Sequence, residues 1–481
     1  MVGISAYGAY IPSFRLKREV IGSAVGWLNP VTLRGEKAVA NYDEDSITMA
    51  VAAGMNCLRD FERDKVEGLY FATTSPSYEE RQAAAIIATA LNFHPDIRTV
   101  EFAGSTSSGI AALLAAYDTV KAGVAKNIMV CVSDRRLAKP SSAEEQIYGD
   151  GAVALIVGDS GVVADLKGSY SVSYDFPGRW RAEYEKFGHS WEDRFVRDES
   201  YLKFITESIS GLLHKYGLNI NEFAKIIYHC PYAREHAAIG RRIGAEASQI
   251  QDHMLSIIGD TGTPQPLLML VAALEEAKAG DEILIAGFGS GSNTLFLKTT
   301  EEIKTPRKGK IVKDYLASGT ELTNYEKYVS WRNILPMEKG IRGEVENYFT
   351  PLSRLWRERK EILGLVGSKC KRCGTPQYPA QRVCVKPDCG AIDEMEEYQF
   401  SDKKGYLFTY TEDHLAFSIN PPQIYGVVDF EGGGRYWFDL TDCKAGSLQV
   451  GMPVEMSFRE KYFDEPHGIH GYFWKAVPLK I

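Results

Sequence analysis

AAYDTVKAG at residues 115–123 returns as AALEEAKAG at residues 272–280, 157 positions further along the chain. Each copy ends in a glycine able to stop a helix, and each leads into a strand-like apolar run, at 127–132 and at 282–286. Beyond those runs lie GDGAVALIVGD at 149–159 and GFGSGSNTLFLK at 287–298, a second matching pair. Paired nonamers with paired neighbours mark an internal duplication. The first two-thirds of the chain therefore reads as two α/β halves, over 1–164 and 165–335. The same offset carries Gly104, in EFAGSTSSG, onto Thr261, in IIGDTGTPQ. Both segments are turns entering a helix. A pseudo-twofold arrangement would bring them together, with two helix N-termini and their unpaired N–H groups aimed at one point.

With 481 residues, ~100–200 per domain gives about three folded units. There are 55 Lys and Arg against 63 Asp and Glu, a net charge of −8. A mildly acidic chain without a basic tract does not fit nucleic-acid binding as its main task. No apolar run approaches the ~18 residues of a membrane span. The opening MVGISAYGAYIPSF lacks the basic and apolar regions of a secretory signal, so a cytoplasmic location is expected.

Eight cysteines are too few for a disulfide scaffold. Four of them, Cys370, Cys373, Cys384 and Cys389, fall in CKRCGTPQYPAQRVCVKPDCG, a C-x2-C-x10-C-x4-C pattern. Two knuckles of this kind place four thiolates around one structural zinc and leave no open catalytic position. Gly374 and Gly390 would supply the tight turns. The apolar spacing of Tyr348, Leu352, Leu355, Trp356 and Ile362 predicts a helix over Val345–Leu363. Alternating runs at Gly405–Thr411, Ile424–Phe430, Tyr436–Asp439 and Val454–Arg459 predict a small barrel. Linker helix and zinc ribbon take 336–395, and the barrel takes 396–481.

Helix, ribbon and barrel together resemble the zinc-ribbon and OB-fold proteins that accompany thiolase-like enzymes acting on acyl-CoA. The duplicated part resembles the thiolase superfamily, most closely its 3-hydroxy-3-methylglutaryl-CoA synthase branch. The resemblance is carried by VEFAGSTSSGIAAL, YGDGAVALIVGD, HSWEDRFVRDESYLKF, IIYHCPYAREH, GDTGTPQPLLML, AGFGSGSNTLFL and SGTELTNYEKYVSWRNILP. It implies a duplicated thiolase-like α/β fold followed by a zinc ribbon and an OB-type barrel. It also implies a cysteine nucleophile at a helix N-terminus, a His and an Asn at the thioester oxygen, and a Glu that handles protons. The His corresponds to His229. The other three positions depart: Gly104 stands at the cysteine, with Ser105 beside it, Asp260 at the Asn, and Thr74 at the Glu, with Glu79 and Glu80 close behind.

Loss of the thiol removes the usual acyl-enzyme step but not enolate chemistry, which needs only donors at the thioester oxygen. The expected activity is a non-covalent aldol, retro-aldol or Claisen-type reaction on an acyl-CoA. His229 and the helix N-termini would be donors, and Gly104 would clear space for substrate. Asp260 would orient His229 or move a proton. Tyr148 is a further acid/base candidate, or a core tyrosine. Ser105 is either a simple turn residue or the nucleophile of an acyltransferase, which would need an adjacent base. A third reading is a silent acyl-CoA-binding scaffold that feeds a partner. Arg234, Arg241 and Arg242 would meet the coenzyme A phosphates or form a solvated helix face. Gly289, Ser290 and Gly291 would line the pocket, as the resemblance implies. Strand alternation turns Cys230 away from His229, toward packing. The resemblance further implies a homodimer, or pairing with another thiolase-like protein.

Overall fold

A computed structural model describes residues 1–338 and 349–479. Two compact units emerge. One comprises Met1–Ala40, Ala52–Ala84 and Asp96–Tyr328; the other comprises Asn41–Val51, Ala85–Pro95 and Val329–Ile481.

The first unit is built on a nine-stranded sheet. Its strands are β1 (Gly3–Tyr10), β2 (Gly68–Ala72), β3 (Arg98–Phe102), β4 (Asn127–Asp134), β5 (Gly151–Gly158), β6 (Ala164–Ser173), β7 (Lys225–Tyr228), β8 (Glu282–Gly289) and β9 (Gly291–Thr299). Their order is β7-β8-β9-β6-β1-β5-β4-β2-β3. The duplication is visible in this order: β2, β4, β5 and β1 of the first half are matched by β7, β8, β9 and β6 of the second. The halves join where β1 and β6 pair antiparallel through Gly3–Asp165 and Ile4–Ala164. Even the partner of β3 has a trace, a parallel bridge from Ile250 to Ile226 beside β7.

All eight residues of β4 and all eight of β5 are buried, as continuous apolar runs covered on both faces require. Two helices complete the core, α1 (Ser108–Lys121) and α3 (Gln265–Glu276), with α2 (Ala233–Ile243) between them in the chain. Helix α3 is buried along nearly its whole length, which explains why QPLLMLVAAL shows little polar striping. A Cβ on Gly109, early in α1, would lie 3.1 Å from the Thr263 carbonyl oxygen just ahead of α3. A side chain there would push the two apart by a few tenths of an ångström, and the glycine places the two duplicated helix entries side by side. One detail differs from the sequence reading: α3 ends at Glu276, where Ala277 turns extended, and Gly280 instead forms the turn into β8.

The second unit contains a small sheet and a barrel. Of the predicted helix over Val345–Leu363, residues 345–348 lie outside the described residues, and the rest is corrected to two short helices, Leu352–Arg357 and Arg359–Gly364, broken at Glu358. Pro351 directly precedes the first of them, as suits a helix start. Leu352 and Trp356, placed on an apolar face from spacing, are exposed; Tyr348 lies outside the described residues. The barrel strands are β10 (Gly405–Asp413), β11 (Gln423–Phe430), β12 (Arg435–Asp439), β13 (Pro453–Asp464) and β14 (Ile469–Pro478), ordered β12-β11-β10-β13-β14. The fifth was not anticipated. A parallel bridge between Leu440 and Ala476 closes the ring. Beside the barrel runs a buried ionic cluster: Arg459 reaches Asp43 (3.2 Å), Glu44 (2.8 Å) and Asp442 (2.6 Å), and Lys475 reaches Asp43 at 2.8 Å.

Candidate active site

His229 follows directly on the last residue of β7, and Asp260 sits in the turn that leads into α3. Both side chains are buried, and His229 Nε2 lies 2.9 Å from Asp260 Oδ1. That approach is off the line of a well-aligned hydrogen bond, so Nε2 is held at ion-pair distance without a good N–H···O geometry. The same carboxylate oxygen lies 3.0 Å from Arg136 Nη2 and accepts the Gly262 N–H at 2.8 Å. Arg136 Nη2 also donates to the Asp260 main-chain oxygen at 2.7 Å. Burial alone would raise the Asp260 pKa, but Arg136 and then His229 overcome it, and the group is held well below the usual carboxylate range. Asp260 is therefore an anion throughout the neutral range.

Arg136 continues the site outward. Its guanidinium lies over the Tyr148 ring, 3.9 Å from the centroid, and Tyr148 is bridged to Asp260 through the backbone. The Tyr148 oxygen accepts from Arg179 Nη1, and the Tyr232 oxygen accepts from Arg179 Nη2, both at 2.9 Å. Tyr201, its phenol pushed up by burial, stacks on Phe288 with 3.8 Å between centroids. Phe288 in turn accepts a 2.7 Å hydrogen bond from Thr106, one residue past Ser105.

Gly104 has φ +84° and stands exposed; a Cβ there would meet nothing within 4 Å. The backbone is left-handed at that point, so a side chain would be strained but not crowded. Ser105 Oγ lies 3.0 Å from Ser107 Oγ and accepts the Ser290 N–H at 3.1 Å. Its contacts among the described residues include no histidine and no carboxylate. The hairpin turn Gly289–Ser290–Gly291 thus packs on the Ser105 turn, and Gly291, at φ +111°, runs against Val172. Arg234, Arg241 and Arg242 lie exposed along α2. Glu79 and Glu80 are exposed, while Thr74 donates through both its N–H and its hydroxyl to Asp134.

Sequence reasoning missed Arg136, Arg179 and Asp134. Asp134 is fully buried and accepts from Thr73, Thr74, Ser75 and the Thr263 N–H, which ties the end of β4 to the turn before α3. A signal was present in Asp134-Arg135-Arg136, three charges at the carboxyl end of a fully buried strand. Charges at the carboxyl end of a buried strand commonly face a site.

Comparison with known proteins now has a geometry to explain. A hydroxymethylglutaryl-CoA synthase from Pyrobaculum arsenaticum is 30% identical over 352 residues, covering 71% of this chain and 99% of that protein. One from Thermococcus sibiricus is 33% identical over 298 residues, covering 61% and 84%. The chain belongs to the hydroxymethylglutaryl-CoA synthase family. The structure of a hydroxymethylglutaryl-CoA synthase complexed with CoA superposes with a TM-score of 0.60 at 17% identity, covering 73% of this chain and 95% of that one. The thiolase-like fold expected from the duplication is thereby shown.

What this family member adds lies in its C-terminal unit. Cys370, Cys373, Cys384 and Cys389 bring their sulfurs together, with Cys370–Cys389 at 3.7 Å and Cys373–Cys384 at 3.5 Å. Gly374 and Gly390 both take positive φ, as the knuckle turns demand. Four convergent thiols, grouped with no other metal-ligating side chain among the described residues, suit a structural zinc ion. Residues 357–393 match the family described as "ChsH2, rubredoxin-like zinc ribbon domain", and residues 398–459 match "ChsH2, C-terminal OB-fold domain". The four remaining cysteines are accounted for differently. Cys57, Cys131 and Cys230 are buried, and burial raises the thiol of each; Cys443 belongs to the C-terminal unit. No described helix is long and apolar enough to cross a membrane.

Proposed function

We propose that this protein makes or breaks a carbon–carbon bond on an acyl-CoA thioester by non-covalent enolate chemistry, of the aldol, retro-aldol or Claisen type. The observation that carries the proposal is the pairing of His229 with an anionic Asp260, in a chain that has Gly104 where the family resemblance leads one to expect a thiol. In the retro-aldol direction, a base takes the proton of a 3-hydroxyl and the Cα–Cβ bond breaks. A carbonyl compound leaves, and the electron pair passes to the thioester as an enolate, which is then protonated at Cα. The protein must supply a proton carrier near the hydroxyl and a donor at the thioester oxygen.

His229 supports the second role. Asp260 sets the orientation of its ring, leaving the nitrogen turned away from the carboxylate to meet the substrate. Asp260 itself is too strongly held as an anion to donate a proton near neutrality, so its part is orientation. Tyr148, with its oxygen held by Arg179, is the proton carrier in this reading. Arg136 keeps Asp260 charged and packs on Tyr148, which couples the two groups. Gly104 leaves room where a thiolate would otherwise stand. Acyl transfer through Ser105 has no such support, because its hydroxyl lacks a base among its partners.

The test is incubation with acetyl-CoA followed by intact-mass measurement, alongside a panel of 3-hydroxyacyl-CoAs assayed for cleavage products. The expected result is cleavage of at least one panel member with no protein adduct. A stable acyl adduct would overturn the non-covalent route. Binding without any turnover would instead favour the scaffold.

A further inference from the structure

Arg179 sits where three parts of the first unit meet. It opens a small hairpin with the two-residue strands Arg179–Trp180 and His189–Ser190, in which Trp180 stacks on His189. Its fork spans both halves of the duplication. Nη1 donates to the Tyr148 oxygen in the first half and Nη2 to the Tyr232 oxygen in the second, each at 2.9 Å. Two residues on, Arg181 ties the same hairpin to the Thr74 carbonyl oxygen at 3.1 Å.

A phenol oxygen that accepts from a guanidinium must turn its own hydrogen elsewhere. Among the described residues, neither Tyr148 nor Tyr232 has an acceptor for that hydrogen. Two O–H donors therefore leave one fork with no protein group to receive them. Both rings are braced. Tyr201 meets the Tyr232 ring edge-on at 5.7 Å, and the Arg136 guanidinium covers a face of Tyr148 at 3.9 Å. Glu144, 3.7 Å from Arg179 Nη2, already supplies a counter-charge. The set thus suits a neutral oxygen on which charge develops, not a permanent anion.

We propose that Tyr148, Tyr232 and Arg179 form a second oxygen subsite, which holds the carbonyl oxygen of the fragment that joins or leaves the acyl-CoA. The proposal rests on the non-covalent reading above, in which His229 serves the thioester oxygen. Tyr148 exchanges a proton with the fragment's oxygen, whereas Tyr232 keeps its own hydrogen and donates it as a hydrogen bond throughout. Arg179 is a positioning residue: it aims both phenols and, through them, meets the charge that builds on that oxygen. In an aldol product this oxygen ends as a hydroxyl, while in a Claisen condensation it returns to a carbonyl as the thiol leaves. A proton carrier at this oxygen therefore places the fragment among the aldehydes and ketones.

The test uses the full chain with 3-oxobutanoyl-CoA carrying a 13C label at the ketone carbon, and reads the resonance of the bound ligand. Hydrogen bonds draw electron density from a ketone carbon. Bound to wild type, that carbon should therefore resonate downfield of its position in Tyr232→Phe, and further downfield of that in the Tyr148→Phe/Tyr232→Phe double variant. Arg179→Lys, which keeps the charge and loses the fork, should fall between wild type and the double variant. Tyr174→Phe, whose hydroxyl bonds to Glu207, should match wild type. On any 3-hydroxyacyl-CoA that wild type cleaves, Tyr232→Phe should lower kcat about 10²–10³-fold, the usual worth of one oxyanion donor. If the double variant does not fold, the two single phenylalanine variants carry the test. A ketone resonance common to wild type and these variants overturns the subsite, as does wild type that fails to bind the ligand. An acyl adduct, or no cleavage of any 3-hydroxyacyl-CoA, alongside the full difference in resonance would overturn the reaction and leave the subsite standing.

Discussion

Asp260 shows how one substitution reorganises its neighbours. Where the resemblance leads one to expect an amide, this chain has a carboxylate, and the extra charge is met by Arg136 at 3.0 Å and by His229 at 2.9 Å. Restoring the amide is therefore not a neutral change. In Asp260→Asn, Arg136 would lose its charge partner in a buried setting, a loss typically costing about 3–5 kcal/mol. Thermal unfolding should show a clearly lower midpoint than wild type, and an unchanged midpoint would mean the ion pair contributes little. His229 and Ser105 separate on activity. On any 3-hydroxyacyl-CoA that wild type cleaves, His229→Ala should lower kcat roughly 10²–10⁴-fold, the usual worth of a positioned acid/base or donor group. Ser105→Ala should stay within a few-fold, because Ser105 bonds only to its own turn and the neighbouring hairpin. A large loss in Ser105→Ala with full activity in His229→Ala would reverse the assignment.

Among the elements, α3 carries a pH-sensitive feature away from the site. Glu275, near its C-terminal end, is raised by burial to about 7, although the Val312 N–H and Arg307 partly counter that. A folded-state pKa above the unfolded value means that the folded protein binds more protons between about pH 4.5 and 7. The contribution of Glu275 to stability is thus fully present below that window and is lost as the pH rises through it. Subtracting the Glu275→Gln stability profile from that of wild type should leave a curve that falls from pH 5 to pH 7. A flat difference would show that Glu275 titrates normally. Element boundaries teach a related lesson. β4 and β5 were legible because each holds an uninterrupted apolar run, at 128–132 and 152–157, whereas β14, IHGYFWKAVP, mixes His, Gly and Lys among its core residues and lacks a clean alternation. Lys475 belongs in that strand because Asp43, far away in the chain, receives its charge. Similarly, the stretch after Pro351 has helical spacing but folds as two short pieces, the first without a buried residue and the second burying only Leu363 and Gly364 at its end, since helical spacing alone does not supply a surface to bury against.

For the whole molecule, the ionic cluster around Arg459 joins residues nearly the full chain length apart. Segment Asn41–Val51 lies within the C-terminal unit, and its Asp43 and Glu44 are neutralised there by Arg459 and Lys475. Burial would lower the Lys475 pKa, but Asp43 more than compensates and holds it above the ordinary lysine range. Arg459→Met should therefore destabilise the C-terminal unit by about 3–5 kcal/mol, since Asp43, Glu44 and Asp442 would all lose the buried guanidinium they share. The readout is chemical denaturation followed by tryptophan fluorescence, with the earliest transition moving to lower denaturant. No shift would show that the cluster tolerates the loss. By itself the sequence determined the duplication, the clustering of four cysteines and the absence of a thiol at residue 104, and its motifs carried the resemblance that implied a thiolase-like fold. These follow from local pattern, because repeats, apolar runs and cysteine spacing are preserved along the chain. Tertiary structure alone decided that Arg136 and Arg179 join His229, Asp260 and Tyr148, and that Asp43 to Asp45 belong with the barrel. Those contacts join residues far apart in the chain, and electrostatic partners carry no periodic signature that one stretch of sequence could reveal.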